Sequence, residues 1–517
     1  MEKISIILPQ VKLDIKNPEG LTMDRLEQTI FETTQELGKK TMEKFAEDYD
    51  RALMQGRDSS ILRHAGKRCK HFMTRMGDIQ YQRTRYIDKN TGKSVYLLDK
   101  KLGIQPNQRI SLKRSQMEIL LASYSSYRRT QEDIGLLTGQ RRSHEAGRQS
   151  ILKEAKRVIA HENKQIAQIK NLQMPDTDPK SDVAYIETDS TYIRLQRSRK
   201  REFGRKVGRK RLKRSLEIKL GIGYTGKESR YAHGALPANS LSDKFSFVGT
   251  GQSFMERLSI ISEKKLSLYR VKQIIMGGDG APWIKEGMKD HFPNAVYFLC
   301  RFHLNRAVRR ALSLRKDSQK TLLKFIREDR INQALGLIKR MISHPKDKKE
   351  KEKLQDLHSY IDNNRDGINS KARIVDKSVR ESIQSTGCIE PNIDKFIAHR
   401  FKGRGMSWSK KGALALLKIK QIINNNEWND WWSKSRDEKL VIPHHLQQII
   451  TSTQMNKKQT RKNPFLIQAR MPLLETQYSE YAELRRRMKE LTRIDYKLGE
   501  IAGSYQGRGE QRTRWLP

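Results

Sequence analysis

The chain runs to 517 residues, room for two to four domains, and sets 104 Lys and Arg against 59 Asp and Glu for a formal net charge of +45. An excess of that size, spread along most of the length, predicts folded surfaces that carry it and a polyanionic partner. Only Cys69, Cys300 and Cys388 are present, which excludes a disulfide framework. No run approaches the ~18 apolar residues of a membrane span, and the N-terminus lacks the features of a signal peptide, so a soluble cytoplasmic protein is expected.

Residues 21–55 space Leu26, Ile30, Leu37 and Phe45 at near-helical intervals with charges between them, which predicts a helix. Residues 78–99 change period. Ile79, Tyr81 and Arg83 alternate with Gln80 and Gln82, Asn90-Thr91-Gly92 supplies a turn, and Ser94–Leu98 follows, so a β-hairpin is expected. From Leu112 to Glu162 the helical period returns in three segments: Leu112–Tyr124, a short helix capped at Thr130 and ended by Gly139, and a basic helix over Arg141–Ile159. These fit a helix-turn-helix-like arrangement whose last helix, with Arg141, Arg142 and Arg148, lies in a DNA major groove. An ordinary helical hairpin with a solvated basic face fits the same residues.

The polar, proline-containing stretch Gln173–Ser181 predicts a domain boundary. Beyond it come strands over Val183–Ile193 and Ser215–Gly223, a weaker strand over Arg230–Leu236, and a helix over Phe254–Leu268. Strand Val271–Met276, helix Trp283–His291, strand Ala295–Leu299 and a helix from Phe302 complete the series. That order predicts an α/β domain of the RNase H-like class, a mixed sheet flanked by helices. The expected division is an N-terminal helical region (1–60), a hairpin subdomain (61–110), the helix-turn-helix-like region (111–172) and the sheet domain (181–303). A charged helical insertion (304–385), a final helical region of the catalytic part (386–432) and a basic tail (433–517) follow.

Three acids stand out. Asp189 and Asp279 each end an apolar, β-branched run, where a strand delivers its carboxylate to the edge of a sheet, and Glu390 opens a later helix. Two Asp and one Glu in so basic a chain suit a pair of divalent ions, Mg²⁺ or Mn²⁺, held against a phosphodiester. Each Asp alone also fits a plain strand cap or turn. Glu187, two residues before Asp189 and on the same strand face, is a rival ligand. Cys300 and His303 form a Cys-x-x-His pair that could begin a zinc site but lacks a second ligand pair nearby. Beside the carboxylates, His303 would instead contact the scissile phosphate or a transient charge.

Taken in order, Asp189, Gly277-Gly-Asp-Gly280, Cys300-x-x-His303 and Glu390, with helices inserted before the last acid, resemble the DDE transposases of bacterial insertion sequences. The Cys-x-x-His element is similar to that of the Mutator-like superfamily. The segments Gly277–Lys285, Phe298–Leu304 and Gly405–Ser409 look like those of the Lre-type insertion-sequence group, which is also classed as an uncharacterised protein family. The resemblance spans roughly residues 60–430. It implies a self-contained recombinase in which Asp189, Asp279 and Glu390 hold two Mg²⁺ or Mn²⁺ ions and His303 assists. The implied partners are double-stranded DNA, both transposon ends and target, bound by a homodimer or higher oligomer associated with the nucleoid. Pro391 departs from the family's pattern by setting Glu390 at a helix start, which leaves Glu381 and Asp394 as rivals.

Two basic segments flank these acids. In the loop 197–214, Arg199, Lys200, Arg205, Lys206, Arg209, Lys210 and Arg211 would grip phosphates next to the first strand, or merely decorate a hairpin tip. Past Glu390, Arg400, Lys402 and Arg404 offer a track for a DNA end, with Trp408 stacked on a distorted base or simply in the core. The functional alternatives are an inactive transposase-derived DNA-binding protein and a metal-dependent nuclease without strand transfer.

Overall fold

The computed structural model describes residues 22–171, 178–196, 215–230, 238–292, 294–403 and 405–434. The first helix, α1 (Met23–Gln55), starts where the Thr22 hydroxyl accepts the Arg25 N–H. It lies against an antiparallel ribbon of β1 (Leu62–Thr74) and β2 (Gly77–Asp88), with Ala46 packed on Phe72, Ile79 and Tyr81. The Asn90–Gly92 turn does lead to a strand, β3 (Ser94–Val95), but it pairs at only two positions, and the helix α2 (Leu97–Lys101) takes up Leu97 and Leu98. The main partner of β2 is β1, whose alternation is obscured in the sequence by a bulge between His64 and Lys67 and by its run of cations.

One edge of β2 is closed by a helix. Glu43, Glu47 and Asp50, one per turn along α1, accept the outward N–H groups of Gln80, Gln82 and Thr84 at 2.7, 3.0 and 2.9 Å. The carboxylates thus stand in for a neighbouring strand and satisfy donors that an open edge would leave to water.

Helices α3 (Leu112–Ala122), α4 (Tyr127–Thr138) and α5 (His144–Lys170) begin at Ser111, Ser126 and Ser143, each hydroxyl accepting the N–H three residues on. Thr130 is therefore inside α4 and not its cap, while Gly139 ends that helix in the left-handed region as expected. The basic helix runs eleven residues past the expected Ile159, because its far end is buried: Glu162 accepts from Arg257 and Lys418 at 2.8 and 2.7 Å.

The central sheet contains β4 (Val183–Arg194), β5 (Ser215–Tyr224), β8 (Phe245–Gly249), β9 (Gln273–Gly278) and β10 (Ala295–Leu299), in the order β10-β9-β4-β5-β8. A separate hairpin, β6 (Gly226–Arg230) with β7 (Ala238–Ser242), stands between β5 and β8 in the chain. Strands β4, β9 and β10 are parallel, and β5 and β8 run antiparallel to their neighbours. The expected strand over Arg230–Leu236 falls mostly outside the described residues. The third antiparallel strand is the short apolar run Phe245–Gly249, too brief to stand out by period. Helices α6 (Phe254–Leu266) and α7 (Pro282–His291) pack on the sheet through Leu258 and Ile284.

After β10 come α8 (Arg301–Ala311), α9 (Lys316–Arg327), α10 (Ile331–Ser343), α11 (Lys348–Asn363) and α12 (Lys377–Ser382). Leu322, Ile338, Leu354 and Ile361 of these helices share one apolar cluster with Ile186 and Met276 of the sheet and Leu258 of α6. The chain then returns through α13 (Ile389–Ile393), a π-helical turn (Asp394–Ala398) and α14 (His399–Phe401), and ends its described part in α15 (Lys410–Asn424) and α16 (Trp428–Lys434). Among the described residues no helix is long and apolar enough to cross a membrane.

Candidate active site

The register of two parallel strands places the first two acids. β4 pairs with β9 from Val183↔Gln273 to Glu187↔Gly277, so continuing the same offset sets Asp189 beside Asp279 at the carboxyl ends of that pairing. This is the end of an α/β sheet where ligands bind. Asp189 lies mid-strand, because β4 outruns its parallel neighbour and stays paired with β5 up to Arg194. Asp279 sits in the turn after β9, its Oδ1 accepting the Ala281 N–H at 2.9 Å and its carbonyl accepting from Tyr360 of α11 at 2.8 Å. Gly280 (φ +96°) is needed in this turn, since a Cβ there would meet Asn364 at 2.8 Å.

His303 is the third residue of α8, whose N-cap Cys300 directly follows β10. Ligand atoms of Asp189, Asp279 and His303 all lie within 4.8 Å of one another. Glu390, in the first turn of α13, joins them through His303, whose Nε2 is 3.0 Å from Glu390 Oε1. That contact leaves Oε1 buried without a well-formed hydrogen bond.

Electrostatics follow from burial and crowding. Asp189 is only 7 % exposed, and burial together with the neighbouring Asp279 pushes its carboxyl up to about 7. Burial opposes the charged form of His303, but Cys300 and Glu390 beside it outweigh that, and its pKa is pushed up to about 10. The His303 contact in turn holds the Glu390 carboxyl below its ordinary value. A carboxyl whose folded pKa is raised gives stability that is complete below its unfolded value, near 4, and is lost as pH rises through about 7. Metal-free Asp189→Asn should therefore gain stability relative to wild type progressively from about pH 4 to about pH 7; a melting-temperature difference that does not change with pH would refute it.

The rival acids separate cleanly. Glu381 and Asp394 are exposed, and among the described residues neither pairs with His303 as Glu390 does. Glu187 is 1 % exposed, and its oxygens are occupied: Oε1 accepts from Tyr224 at 2.6 Å, and Oε2 accepts the N–H groups of Gly387 and Ile389 at 2.9 and 3.1 Å. Two residues earlier on the same strand face, the Tyr185 hydroxyl accepts the Gln384 N–H at 2.8 Å. Strand β4 thus docks residues 384–389 through Tyr185 and Glu187 and presents Asp189 next to the Glu390 they carry. Close packing enforces this arrangement, since a Cβ on Gly277 would lie 2.8 Å from Glu187 Cγ. No residue pattern marks this clasp, whose backbone donors lie some 200 positions away. Arg306, an exposed cation one turn beyond His303, helps lower Glu390 and carries no motif of its own. No zinc ligand set forms around Cys300, because Asp189, Asp279 and His303 make up the one ligand cluster among the described residues.

Of the expected DNA contacts, two need correction. Arg400 is 3 % exposed, donating to the Ala122 carbonyl and lying over the Tyr127 and Trp408 rings. Trp408 is core: its Nε1 donates to the Phe401 carbonyl, and its backbone extends β4 through Arg194 and Gln196. Both weld the last helices to α3 and α4 and are closed to a nucleic acid. Arg142 is half-buried in a pair with Glu118, Arg148 pairs with Glu145 at 2.6 Å, and Arg141 is exposed. Lys402 is exposed and donates to Thr191, two residues past Asp189 on the same strand face. Arg199, Lys200, Arg205, Lys206, Arg209, Lys210, Arg211 and Arg404 lie outside the described residues.

Residues 16–435 match the uncharacterised protein family UPF0236. The chain belongs to that family. Two UPF0236 proteins of Caldanaerobacter subterraneus are each 25 % identical over 415 residues, 79 % of this chain and 79 % or 75 % of their own lengths. A UPF0236 protein of Streptococcus gallolyticus is 24 % identical over 364 residues, 69 % of this chain and 73 % of its own. Among solved structures, the Drosophila P element transposase strand transfer complex aligns over 71 % of this chain and 90 % of that one, at 10 % identity and a TM-score of 0.21, from which nothing about the fold follows.

Proposed function

We propose that this UPF0236 protein is a DDE-type DNA transposase built on an RNase H-like sheet, which cuts and joins DNA at the ends of an insertion sequence. The observation that carries the reading is the convergence of Asp189 and Asp279 from neighbouring parallel strands with His303, against which Glu390, brought back across α8–α12, lies at 3.0 Å. A basic chain of net charge +45 gives such a site a polyanionic substrate. One Caldanaerobacter relative bears eleven locus designations under a single name, which accords with a sequence repeated through one genome.

The residues fit divalent Mg²⁺ or Mn²⁺. A carboxyl driven toward protonation by burial and a second carboxylate, with Glu390 held as a carboxylate beside it, is a donor set that a cation would complete. Asp189, Asp279 and Glu390 would hold two such ions, which supply charge neutralisation on the phosphodiester and a more acidic nucleophile. The chain's own side chains do the rest. His303 fixes the Glu390 carboxylate and brings a positive charge to the phosphate, while Lys402 and Arg306 offer cations at the rim. In the reaction proposed, water first breaks a strand and leaves a 3′-hydroxyl. That hydroxyl then attacks a target phosphodiester and releases a target 3′-hydroxyl, so joining conserves the number of bonds.

A plasmid carrying the gene with its flanking DNA tests the reading directly. Incubated with the full chain and Mg²⁺, it should be cut at both boundaries of the element and yield joined product. Cleavage without joining would make the protein a nuclease, and binding without cleavage would make it an inactive descendant.

A further inference from the structure

We infer that the β1–β2 ribbon reads duplex DNA, its outer face entering a major groove while cations along β1 contact the flanking phosphates. The inference rests on the DNA partner proposed above. The two faces of the ribbon differ. The inner face buries Phe72, Ile79 and Tyr81 against α1, whereas Cys69, His71, Gln80 and Gln82 point the other way and are exposed. Register sets His71 opposite Gln80 and Cys69 opposite Gln82, so four side chains form one compact polar patch. None of the four side chains has an intramolecular hydrogen bond among the described residues, although three can both donate and accept.

Charge is divided along the same ribbon. The thirteen residues of β1 include no acid, and Arg63, His64, Lys67 and Arg68 are exposed. The nearby carboxylates Glu43, Glu47 and Asp50 lie at the opposite edge, engaged by the N–H groups of β2. A cationic edge beside an exposed patch of two amides, an imidazole and a thiol, with Lys67 at one end of that face and the half-buried Asp78 at the other, matches a nucleic-acid groove, with phosphates at its walls and base edges at its floor. The major groove, about 12 Å wide, admits a two-stranded ribbon, and a glutamine can make two hydrogen bonds to adenine. A solvated hairpin needs neither feature.

The test is selection of binding sites by the full chain from a pool of randomised duplexes. Wild type should enrich a defined motif. Gln80→Ala with Gln82→Ala should lose that motif's adenine positions, cutting discrimination by roughly tenfold or more, with an unchanged salt slope and melting temperature. Lys67→Gln with Arg68→Gln should instead weaken binding to every duplex and flatten the salt slope by about 0.9 per lost contact. An identical motif and discrimination from the glutamine variant would overturn the inference, as would a change in oligomeric mass in place of a changed motif, which would mark the face as a contact between copies of the chain. Metal-dependent nicking should persist in the glutamine variant. Its absence from wild type would sink the catalytic reading without touching the ribbon.

Discussion

Asp189→Asn and Asp279→Asn should each reduce metal-dependent strand cleavage by at least about 10²-fold, while making the metal-free protein more stable. The two effects share one cause. Burial and mutual proximity make a charged pair of carboxylates costly in the absence of a cation, which is why Asp189 is pushed up to about 7. An amide keeps the shape, and its oxygen can still accept the Ser190 N–H that Asp189 takes at 2.6 Å, but it carries no charge. Near neutral pH the relief for Asp189→Asn is on the order of a few kcal/mol. Duplex affinity should barely move, since it rests on exposed cations elsewhere. Activity assays alongside thermal melts in a chelator check both halves. A variant that loses activity and also loses stability would mean that the acids hold the fold together and are not a strained site awaiting a ligand.

Glu187→Ala should be as damaging to cleavage, but by a different route and with the opposite sign in stability. It strips partners from the Tyr224 hydroxyl and from the Gly387 and Ile389 N–H groups, all in or next to the core, at a cost of about 3 kcal/mol or more. Residues 384–390 would then lose their hold on β4, and Glu390 would drift from Asp189. Glu187→Gln keeps the volume and one accepting oxygen, so it should fold and retain partial activity. Hydrogen exchange over residues 384–392 should quicken in both variants, more in the alanine form. Unchanged exchange with abolished cleavage would instead make Glu187 a direct ligand.

How much of this was legible in the sequence depends on the kind of signal. The parallel strands β4, β9 and β10 show in short apolar runs, and Asp189 and Asp279 each come three residues after such a run ends, at Ile186 and Met276, so the two acids could be picked out one by one. β1 could not, because cations and a bulge break its alternation. Arg400 and Trp408 were misleading for a related reason. A basic and aromatic string looks like a nucleic-acid surface, yet the Trp408 ring packs on Phe401 and Tyr127, and the Arg400 guanidinium finds a buried carbonyl. The part of the Glu187 clasp that holds residues 387–389 is written in tertiary contacts alone, since those two donors are main-chain groups that no residue type identifies.

Titration of the full chain with Mn²⁺ near neutral pH, followed by the electron paramagnetic resonance signal of free ion, probes the acid cluster most directly. Wild type should bind the ion saturably, and Asp279→Asn should lose that binding while remaining folded. Equal Mn²⁺ binding by wild type and Asp279→Asn, or none by wild type, would contradict a divalent-metal site at Asp189, Asp279 and Glu390.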